Sequence, residues 1–476
     1  MKTRWFASVV TLAAIFLMFS ACGDDAEYEH DYSDEDNYTY EIRFDTTDDL
    51  AMGGYGDAVV PVSEFQRMWT VDIELMRQHV LSTHPYFTNP AMSNTPAVIV
   101  TRQVFNAQID SLLHQLPNIT EFEIAVALQR ALAVFQSTAF YFPPFLEHLM
   151  HGFIMQFLWV GSGLYLIAGC ENSAHALGNR LVAVNGVSIE DITEATRWLL
   201  GGENSYAVRR IMGFVASSPA LFDALGFGIA DGNVVIYSFM RRDGSTFDLY
   251  KHIVQAQAWM DLWGVWNDVW ITLTMDSNAL PQWDSHNMVW HEHWYENDAN
   301  ILYIRIQNNT VLPIPGYNNI RRILRSGSLH GTIIDLRNTT YFAGNLSTVV
   351  LQLLNDAVRY TPPDAFFVLI DEYTQILELV LYLESIGATI VGEPPALPLR
   401  HLTITNASAA DHTLMGYSQM SVIVPNHIVD TNRHGVTRDF PGGLLMPHVL
   451  IEPTIDDRIN GNDPWIHYVL MKILEQ

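Results

Sequence analysis

Three histidines lie close together in the chain with two acidic residues, a combination that could hold a metal ion. His286, His291 and His293 are accompanied by Asp284 and Glu292. Imidazole and carboxylate groups at such spacing can bind zinc or copper. His291 and His293, however, are two positions apart, whereas the helical H-E-x-x-H motif of zinc peptidases places its histidines four positions apart. In a chain with 18 histidines we expect a surface cluster, and we predict neither a metal nor another cofactor.

The composition limits the classes of protein to which the chain can belong. It has 476 residues, of which 49% are hydrophobic and 16% charged, enough for two or three domains with a large buried core. Acidic residues outnumber basic ones 52 to 25, for a formal charge of −27. Proteins that bind nucleic acids need Lys and Arg to displace counterions from phosphates, so this balance predicts that the protein binds no nucleic acid.

The amino terminus predicts export and a lipid anchor. Two basic residues precede an apolar run over residues 5–21, which ends at Cys22. This pattern is typical of a secretory signal, and Phe19-Ser20-Ala21-Cys22 resembles the lipobox of bacterial lipoproteins. We therefore expect residues 1–21 to be a lipoprotein signal peptide, Cys22 to be acylated, and the acidic residues 22–60 to be a disordered tether. The protein would then be anchored in a bacterial cell envelope, facing outside the cytoplasm; a plain signal with an incidental cysteine is the alternative.

Apolar periodicity predicts a helical domain over residues 61–150. Side chains at three- and four-residue spacing indicate a first helix that ends at His84-Pro85. A second helix is expected to stop before Pro117. Thr120, with Glu123 three residues later, is typical of a capping box that begins a third helix.

Residues 151–255 show short alternating runs and turns, which predict a small β-rich domain. Strands are expected at 164–167 and 181–184, a tight turn at Asn185-Gly186, a helix over 189–200 and a hairpin around Arg241-Arg242-Asp243-Gly244. The following connector, residues 256–299, holds seven of the twelve tryptophans. Four of them recur at helical spacing, which favours a buried helical face; a groove for glycans or peptides is the alternative.

Strands and helices alternate from residue 300 to the end, which predicts an α/β domain with a largely parallel sheet. Functional residues are therefore expected at the carboxyl ends of its strands. The predicted strands are 301–306, 331–336, 365–370, 388–391, 420–424 and 449–451, and the predicted helices are 320–329, 346–358, 374–386 and 464–474.

Four segments of the chain resemble the tail-specific, or C-terminal-processing, serine peptidase family, including its tricorn-core-like branch, and along the chain they follow the order found in that family. They are the strand ending at 333–338 (IIDLRN), the strand and turn at 367–374 with the IGATIVGEP segment at 386–394, the RLVAVNGVSI segment at 180–189, and residues 444–449. The resemblance implies an N-terminal helical domain, a PDZ-like domain and a C-terminal ClpP/crotonase-like peptidase core.

The residues that the family uses for catalysis are not retained. Its serine nucleophile corresponds to Ile376, and the nearby hydroxyl of Thr374 is only a weak substitute. The histidine base of the tricorn-like branch corresponds to Thr138. The base of the lysine branch has no counterpart, since the three lysines are Lys2, Lys251 and Lys472. The paired glycines of the oxyanion turn are replaced by residues 339–342.

These substitutions predict a pseudo-peptidase. We expect it to bind extended peptides or chain termini as partners through the PDZ-like domain and the former substrate cleft, by β-augmentation. Two alternatives stay open: an active serine-type peptidase with an unrecognised nucleophile, and a glycan-binding surface lipoprotein that uses the Trp-rich segment.

Overall fold

The fold was derived from a computed structural model, which describes twelve stretches of the chain. These are residues 62–136, 155–161, 163–227, 234–252, 271–272, 289–296, 299–306, 317–339, 348–403, 412–414, 421–430 and 435–475. Cys22, Thr138 and the tryptophans at 259–270 lie outside these stretches. The described part is a mixed α/β structure.

The first described segment is helical, as the periodicity predicts. The first helix ends at Thr83, and His84 caps the short helix that follows by accepting a hydrogen bond from the Tyr86 N–H. The four helices are α1 (Val62–Thr83), α2 (Pro85–Thr88), α3 (Pro96–Gln115) and α4 (Glu121–Ala133).

The predicted capping box at the start of α4 is confirmed. The Glu123 N–H donates to Thr120 Oγ1 over 3.3 Å, and the Thr120 N–H donates to Glu123 Oε2 over 2.6 Å.

We expect Thr120→Ala to lower the free energy of unfolding by about 1 kcal/mol, because it removes an acceptor for an end-of-helix N–H group. Urea denaturation measures the change. Thr101→Ala, in the middle of α3, is the control and should change stability by less than about 0.5 kcal/mol.

An antiparallel sheet follows the helices. Its main strand order is β1-β2-β3-β5-β6, with β4 paired to β3 and β7 paired to β2. The elements are β1 (Met155–Val160), β2 (Gly163–Gly169), β3 (Arg180–Val184), β4 (Val187–Ser188), α5 (Ile189–Leu200), α6 (Ser205–Val215), α7 (Pro219–Ala224), β5 (Val234–Met240), β6 (Thr246–His252) and β7 (Ile271–Thr272).

The predicted turn between β3 and β4 is confirmed. Asn185 and Gly186 have φ of 48° and 79°, the positive values that a two-residue hairpin turn requires and that Asn and Gly tolerate. The sheet also shares one hydrophobic core with the helices: Phe105 of α3, Leu128 of α4 and Leu166 of β2 belong to the same buried cluster. The helical segment is therefore not packed independently of the sheet.

A second, mostly parallel sheet forms the rest of the described chain. Its order is β17-β12-β11-β10-β9-β8, in which only the β8–β9 pair is antiparallel. Its elements and those around it are β8 (Val289–Glu296), β9 (Ala299–Ile306), α8 (Tyr317–Leu324), β10 (Gly331–Asp335), α9 (Thr348–Tyr360), β11 (Phe366–Ile370), α10 (Leu377–Ser385), β12 (Thr389–Gly392), β13 (Arg400–Thr403), β14 (His412–Leu414), β15 (Ser421–Ile423), β16 (His427–Asp430), β17 (Val449–Leu450), α11 (Ile455–Ile459) and α12 (Pro464–Leu474).

Both faces of this sheet are covered. Ile334 and Val368 belong to a buried cluster with helices α8, α9 and α10, whereas Ile333 and Phe367 belong to one with α12. Alternate residues of a strand point to opposite faces, so burial on both sides explains the near-continuous apolar runs of β10 and β11.

Two parts of the predicted connector, residues 256–299, belong to sheets. Ile271–Thr272 adds a strand to the antiparallel sheet, and Val289–Glu296 adds the antiparallel edge strand β8 to the parallel one. His291 and His293 lie on β8, and no group of three potential ligands for a metal ion occurs among the described residues. No helix within the same described stretches combines the length and apolar character needed to cross a bilayer.

Candidate functional site

The carboxyl ends of β10, β11 and β12 bring together the residues that the sequence singled out. Since these strands are parallel neighbours, the segments that follow them meet at one edge of the sheet. The segments are 336–339 after β10, 371–376 after β11, and the residues from Glu393 onwards after β12.

Glycine is required where β12 meets β11. Gly392 has φ of 139°, and a Cβ at this position would lie 1.9 Å from the Ile370 carbonyl O. The Glu393 N–H then donates to the same carbonyl over 3.2 Å. This close approach brings Glu393 beside the turn that follows β11.

Ile376 lies at the start of the helix after β11, where the resemblance predicts the nucleophile. It is the N-cap residue of α10, its side chain is 5% exposed, and it belongs to the buried cluster on one face of the sheet. The helix begins at Leu377, three residues later than the spacing predicts, because residues 371–374 form a turn closed by a hydrogen bond from the Thr374 N–H to the Asp371 carbonyl.

Thr374, the weak substitute for the nucleophile, is fully buried, and its hydroxyl takes part in hydrogen bonds both as donor and as acceptor. Its Oγ1 accepts from the Asp371 N–H over 2.9 Å. It lies 3.0 Å from both the Leu336 carbonyl O and Asp371 Oδ1, so its single proton is directed to these two acceptors. The hydroxyl therefore holds the turn after β11 against the segment after β10.

Asn338 and Thr339, the described residues next to and at the start of the predicted oxyanion turn, form internal hydrogen bonds. Asn338 has φ of 53°, and its N–H donates to both carboxylate oxygens of Asp371, over 3.0 and 3.1 Å. The Thr339 hydroxyl donates to backbone carbonyls, and the Thr339 carbonyl accepts from the Gln375 N–H over 3.0 Å. Residues 340–347 lie outside the described stretches.

Two of the three lysines are described, and neither is at this edge of the sheet. The Lys251 ammonium, on β6, lies 3.3 Å from Cys170 Sγ. The Lys472 ammonium, on α12, is paired with Glu475 over 2.7 Å and is partly exposed.

A buried ionic network lies beneath the turn. Arg337 contacts Asp335 through two side-chain hydrogen bonds, of 2.7 and 2.9 Å, and Asp463 through a third, of 2.7 Å. The Tyr303 hydroxyl donates to Asp335 over 2.6 Å, and the Arg337 guanidinium lies 4.8 Å from the ring centre of Trp465. Burial alone would raise the pKa of Asp335, but the Arg337 charge and hydrogen bonds hold it below its usual value.

Asp463 connects this network to α12. It caps that helix by accepting from the N–H groups of Trp465 and Ile466. An Asp before a Pro at the first helical position is a sequence signal for such a cap. The pairing of Asp463 with Arg337, 126 residues away, has no comparable signal.

Three carboxyl groups lie at the ends of β11 and β12 and hold protons more strongly than usual. Burial raises the pKa of Glu393 to about 8, helped by the charges of Asp371 and Glu452. Burial also raises the pKa of Glu372 well above its usual value, with contributions from Glu393 and Asp371, and raises that of Asp371. A buried carboxyl group with a strongly raised pKa, such as Glu393, is typical of functional sites and also occurs in structural clusters.

Helix α6 brings basic and aromatic residues to the same carboxyl groups. The charges of Arg209 and Arg210 act on Glu393 and Glu372 respectively, lowering their pKa values in part. Arg209 also forms a 3.1 Å ion pair with Glu452 and lies over the ring of Tyr206. The antiparallel sheet segment and the parallel core therefore meet at this carboxyl cluster.

Comparisons with known proteins give solved structures but no sequence relatives. No family model and no curated protein sequence matches the chain. Among solved structures, mature CPAF complexed with lactacystin is similar at a TM-score of 0.49 and 12% identity, covering 86% of this chain and 98% of that one. Mature CPAF gives 0.48 and 12%, covering 86% and 97%. The photosystem II D1 C-terminal processing protease gives 0.33 and 13%, covering 81% and 93%.

These similarities are distant, with TM-scores below 0.5, and they do not determine an activity.

Proposed function

We propose that the protein is an exported, membrane-tethered pseudo-peptidase of the tail-specific type, which binds extended peptides or chain termini without cleaving them. The observation that carries the proposal is Ile376. A buried hydrocarbon side chain occupies the start of the helix after β11, where a peptidase of this class needs an attacking oxygen.

The neighbouring groups support the same conclusion. The Thr374 hydroxyl is fully buried and engaged with Leu336 and Asp371. The Asn338 N–H is directed to the Asp371 carboxylate, so it does not contribute to an oxyanion site. Loss of a single member of a catalytic triad costs several orders of magnitude in rate, so losses at several positions leave no useful turnover.

We expect peptide binding at an open strand edge. Strand β6 is hydrogen-bonded to β5 and is the last strand in the order of the described antiparallel sheet. An unpaired edge presents N–H and C=O groups to which an extended peptide can add as a further strand. Fluorescence anisotropy with labelled unstructured peptides, with free and amidated carboxyl termini, tests this binding. No anisotropy change with any peptide at high protein concentration would contradict the binding role.

The purified protein is expected to release no product from unstructured fluorogenic peptides above an enzyme-free blank, and to resist labelling by a fluorophosphonate probe. Both results follow from the absence of an activated hydroxyl at residues 371–378. Turnover that accompanies the protein through purification and disappears in Thr374→Val, but persists in Ile376→Ala, would contradict the proposal. Circular dichroism checks that both variants are folded.

An active hydrolase is the second candidate, and the carboxyl cluster favours it. Glu393, with a pKa raised to about 8, could donate or accept a proton at neutral pH. In that case Glu393→Gln should abolish turnover while Thr374→Val leaves it in place. The same peptide assay therefore separates the two candidates.

A further inference from the structure

A cysteine and a buried lysine lie in contact on the antiparallel sheet, away from the carboxyl cluster. Cys170 follows the last residue of β2 and is the N-cap of the short 3-10 helix Glu171–Ala176. Lys251 belongs to β6. Its Nζ lies 3.3 Å from Cys170 Sγ, although the two residues are 81 positions apart in the chain.

Lys251 and Cys170 differ in their exposure to solvent. Lys251 is only 6% exposed, and its Nζ also donates a hydrogen bond to Asn172 Oδ1. Cys170 is partly exposed and forms no disulfide. Reactive cysteines are found in electropositive, partly exposed surroundings, and the buried Lys251 ammonium gives Cys170 such surroundings.

The Lys251 ammonium loses its proton more readily than an exposed lysine does. Burial lowers the pKa of Lys251, against the opposing influence of the neighbouring Cys170 thiol. A neutral amine is a nucleophile, whereas an ammonium is not. The chain has three lysines, and one of them contacts the sulfur of Cys170.

We propose that Cys170 and Lys251 form a peroxide-responsive pair that closes into a covalent sulfur–nitrogen cross-link. The Cys170 thiolate attacks one oxygen of a hydroperoxide, so that an S–O bond forms and the O–O bond breaks. The hydroxide or alkoxide that leaves takes up a proton from the neighbouring Lys251 ammonium, which becomes the neutral amine. Sulfur is oxidised by two electrons to the sulfenic acid, and the peroxide is reduced. The neutral Lys251 amine then attacks that sulfur, an S–N bond forms, the S–O bond breaks, and water leaves.

The geometry makes the amine the nearest resolving group for the oxidised sulfur. Cys170 is the only cysteine among the described residues, and the other one in the chain, Cys22, is the predicted lipidation site. A sulfenic acid next to an amine can condense with it to a sulfenamide, which thiol reductants open again. The cross-link would join the end of β2 to the edge strand β6. This inference does not depend on the proposed function.

Mass spectrometry of the full chain tests the proposal. After treatment with hydrogen peroxide and proteolysis, we expect a peptide containing Cys170 joined to one containing Lys251, two hydrogen masses lighter than the sum of the free peptides. Dithiothreitol should restore the separate peptides. Oxidation of Cys170 to sulfinic or sulfonic acid with no linked peptide would overturn the proposal.

Two variants separate the contributions of charge and amine. Lys251→Arg keeps a positive charge but supplies no suitable nucleophile, so a 1,3-diketone probe should trap the sulfenic acid and no cross-link should form. Lys251→Met removes the charge as well as the amine, so its sulfenic acid should be labelled about tenfold more slowly than that of Lys251→Arg. A cross-link in Lys251→Arg, or equal labelling rates in Lys251→Arg and Lys251→Met, would contradict the pairing. The wild-type result decides the cross-link even if a variant fails to fold.

Discussion

Glu393→Gln is expected to stabilise the protein strongly at alkaline pH and to have little effect at pH 5. Glu393 is 9% exposed, and burial raises its pKa from 4.5 to about 8. The unfolded chain therefore loses this proton above pH 4.5, whereas the folded protein keeps it until about pH 8. The favourable contribution of the protonated carboxyl is complete below pH 4.5 and is lost as the pH rises to 8.

The expected change in stability follows from the size of the Glu393 pKa shift. Each pKa unit corresponds to about 1.4 kcal/mol, so a shift of this size predicts that the wild type loses roughly 3–5 kcal/mol between pH 4.5 and pH 9 through this group. Glutamine keeps the shape and cannot ionise. Glu393→Gln should thus be about 3 kcal/mol more stable than the wild type at pH 9, measured by urea denaturation.

A surface glutamate provides the control. Glu190→Gln removes a carboxylate whose side chain is 71% exposed, and it should change stability by less than about 0.5 kcal/mol at either pH. If the wild type and Glu393→Gln have parallel pH profiles, Glu393 is ionised in the folded protein and the buried carboxyl cluster does not hold its protons as inferred.

The parts of the fold that could be predicted from sequence are those with local causes. The helix at 189–200 and the closing helix at 464–474 were predicted with the observed bounds, and Thr120 begins α4 as its capping box predicts. In each case the apolar spacing and the cap residue lie within a few positions of one another, so a short window of sequence contains the whole signal.

The parts that could not be predicted depend on contacts between distant residues. Helix α10 begins at Leu377 rather than at Thr374 because the Thr374 hydroxyl contacts the Leu336 carbonyl, 38 residues away. The raised pKa of Glu393 depends on burial and on charges from other strands and helices. Only the resemblance to family motifs predicts that Ile376 takes the place of the nucleophile, and the structure adds that this side chain is buried at the start of α10.

Breaking the ionic network under the candidate site is expected to be the most destabilising single change. Arg337→Met removes a guanidinium that is 7% exposed and leaves the carboxylates of Asp335 and Asp463, 0% and 9% exposed, without their cation. Removing one partner of a buried ion pair costs about 3–5 kcal/mol, since the remaining charge stays in a poorly solvated place. Chemical denaturation of the variant at pH 7 measures this loss.

An exposed ion pair with nearly the same N–O distance shows how much of the loss in stability is due to burial. Arg242 and Asp456 lie 2.6 Å apart with 61% and 59% of their side chains exposed, and Arg242→Met should cost less than about 1 kcal/mol. Adding Asp335→Asn to Arg337→Met should recover part of the loss, because the uncompensated charge is then removed. Equal costs for the two arginine variants would contradict the effect of burial, and a further loss in the double variant would contradict the role of Arg337 in neutralising Asp335.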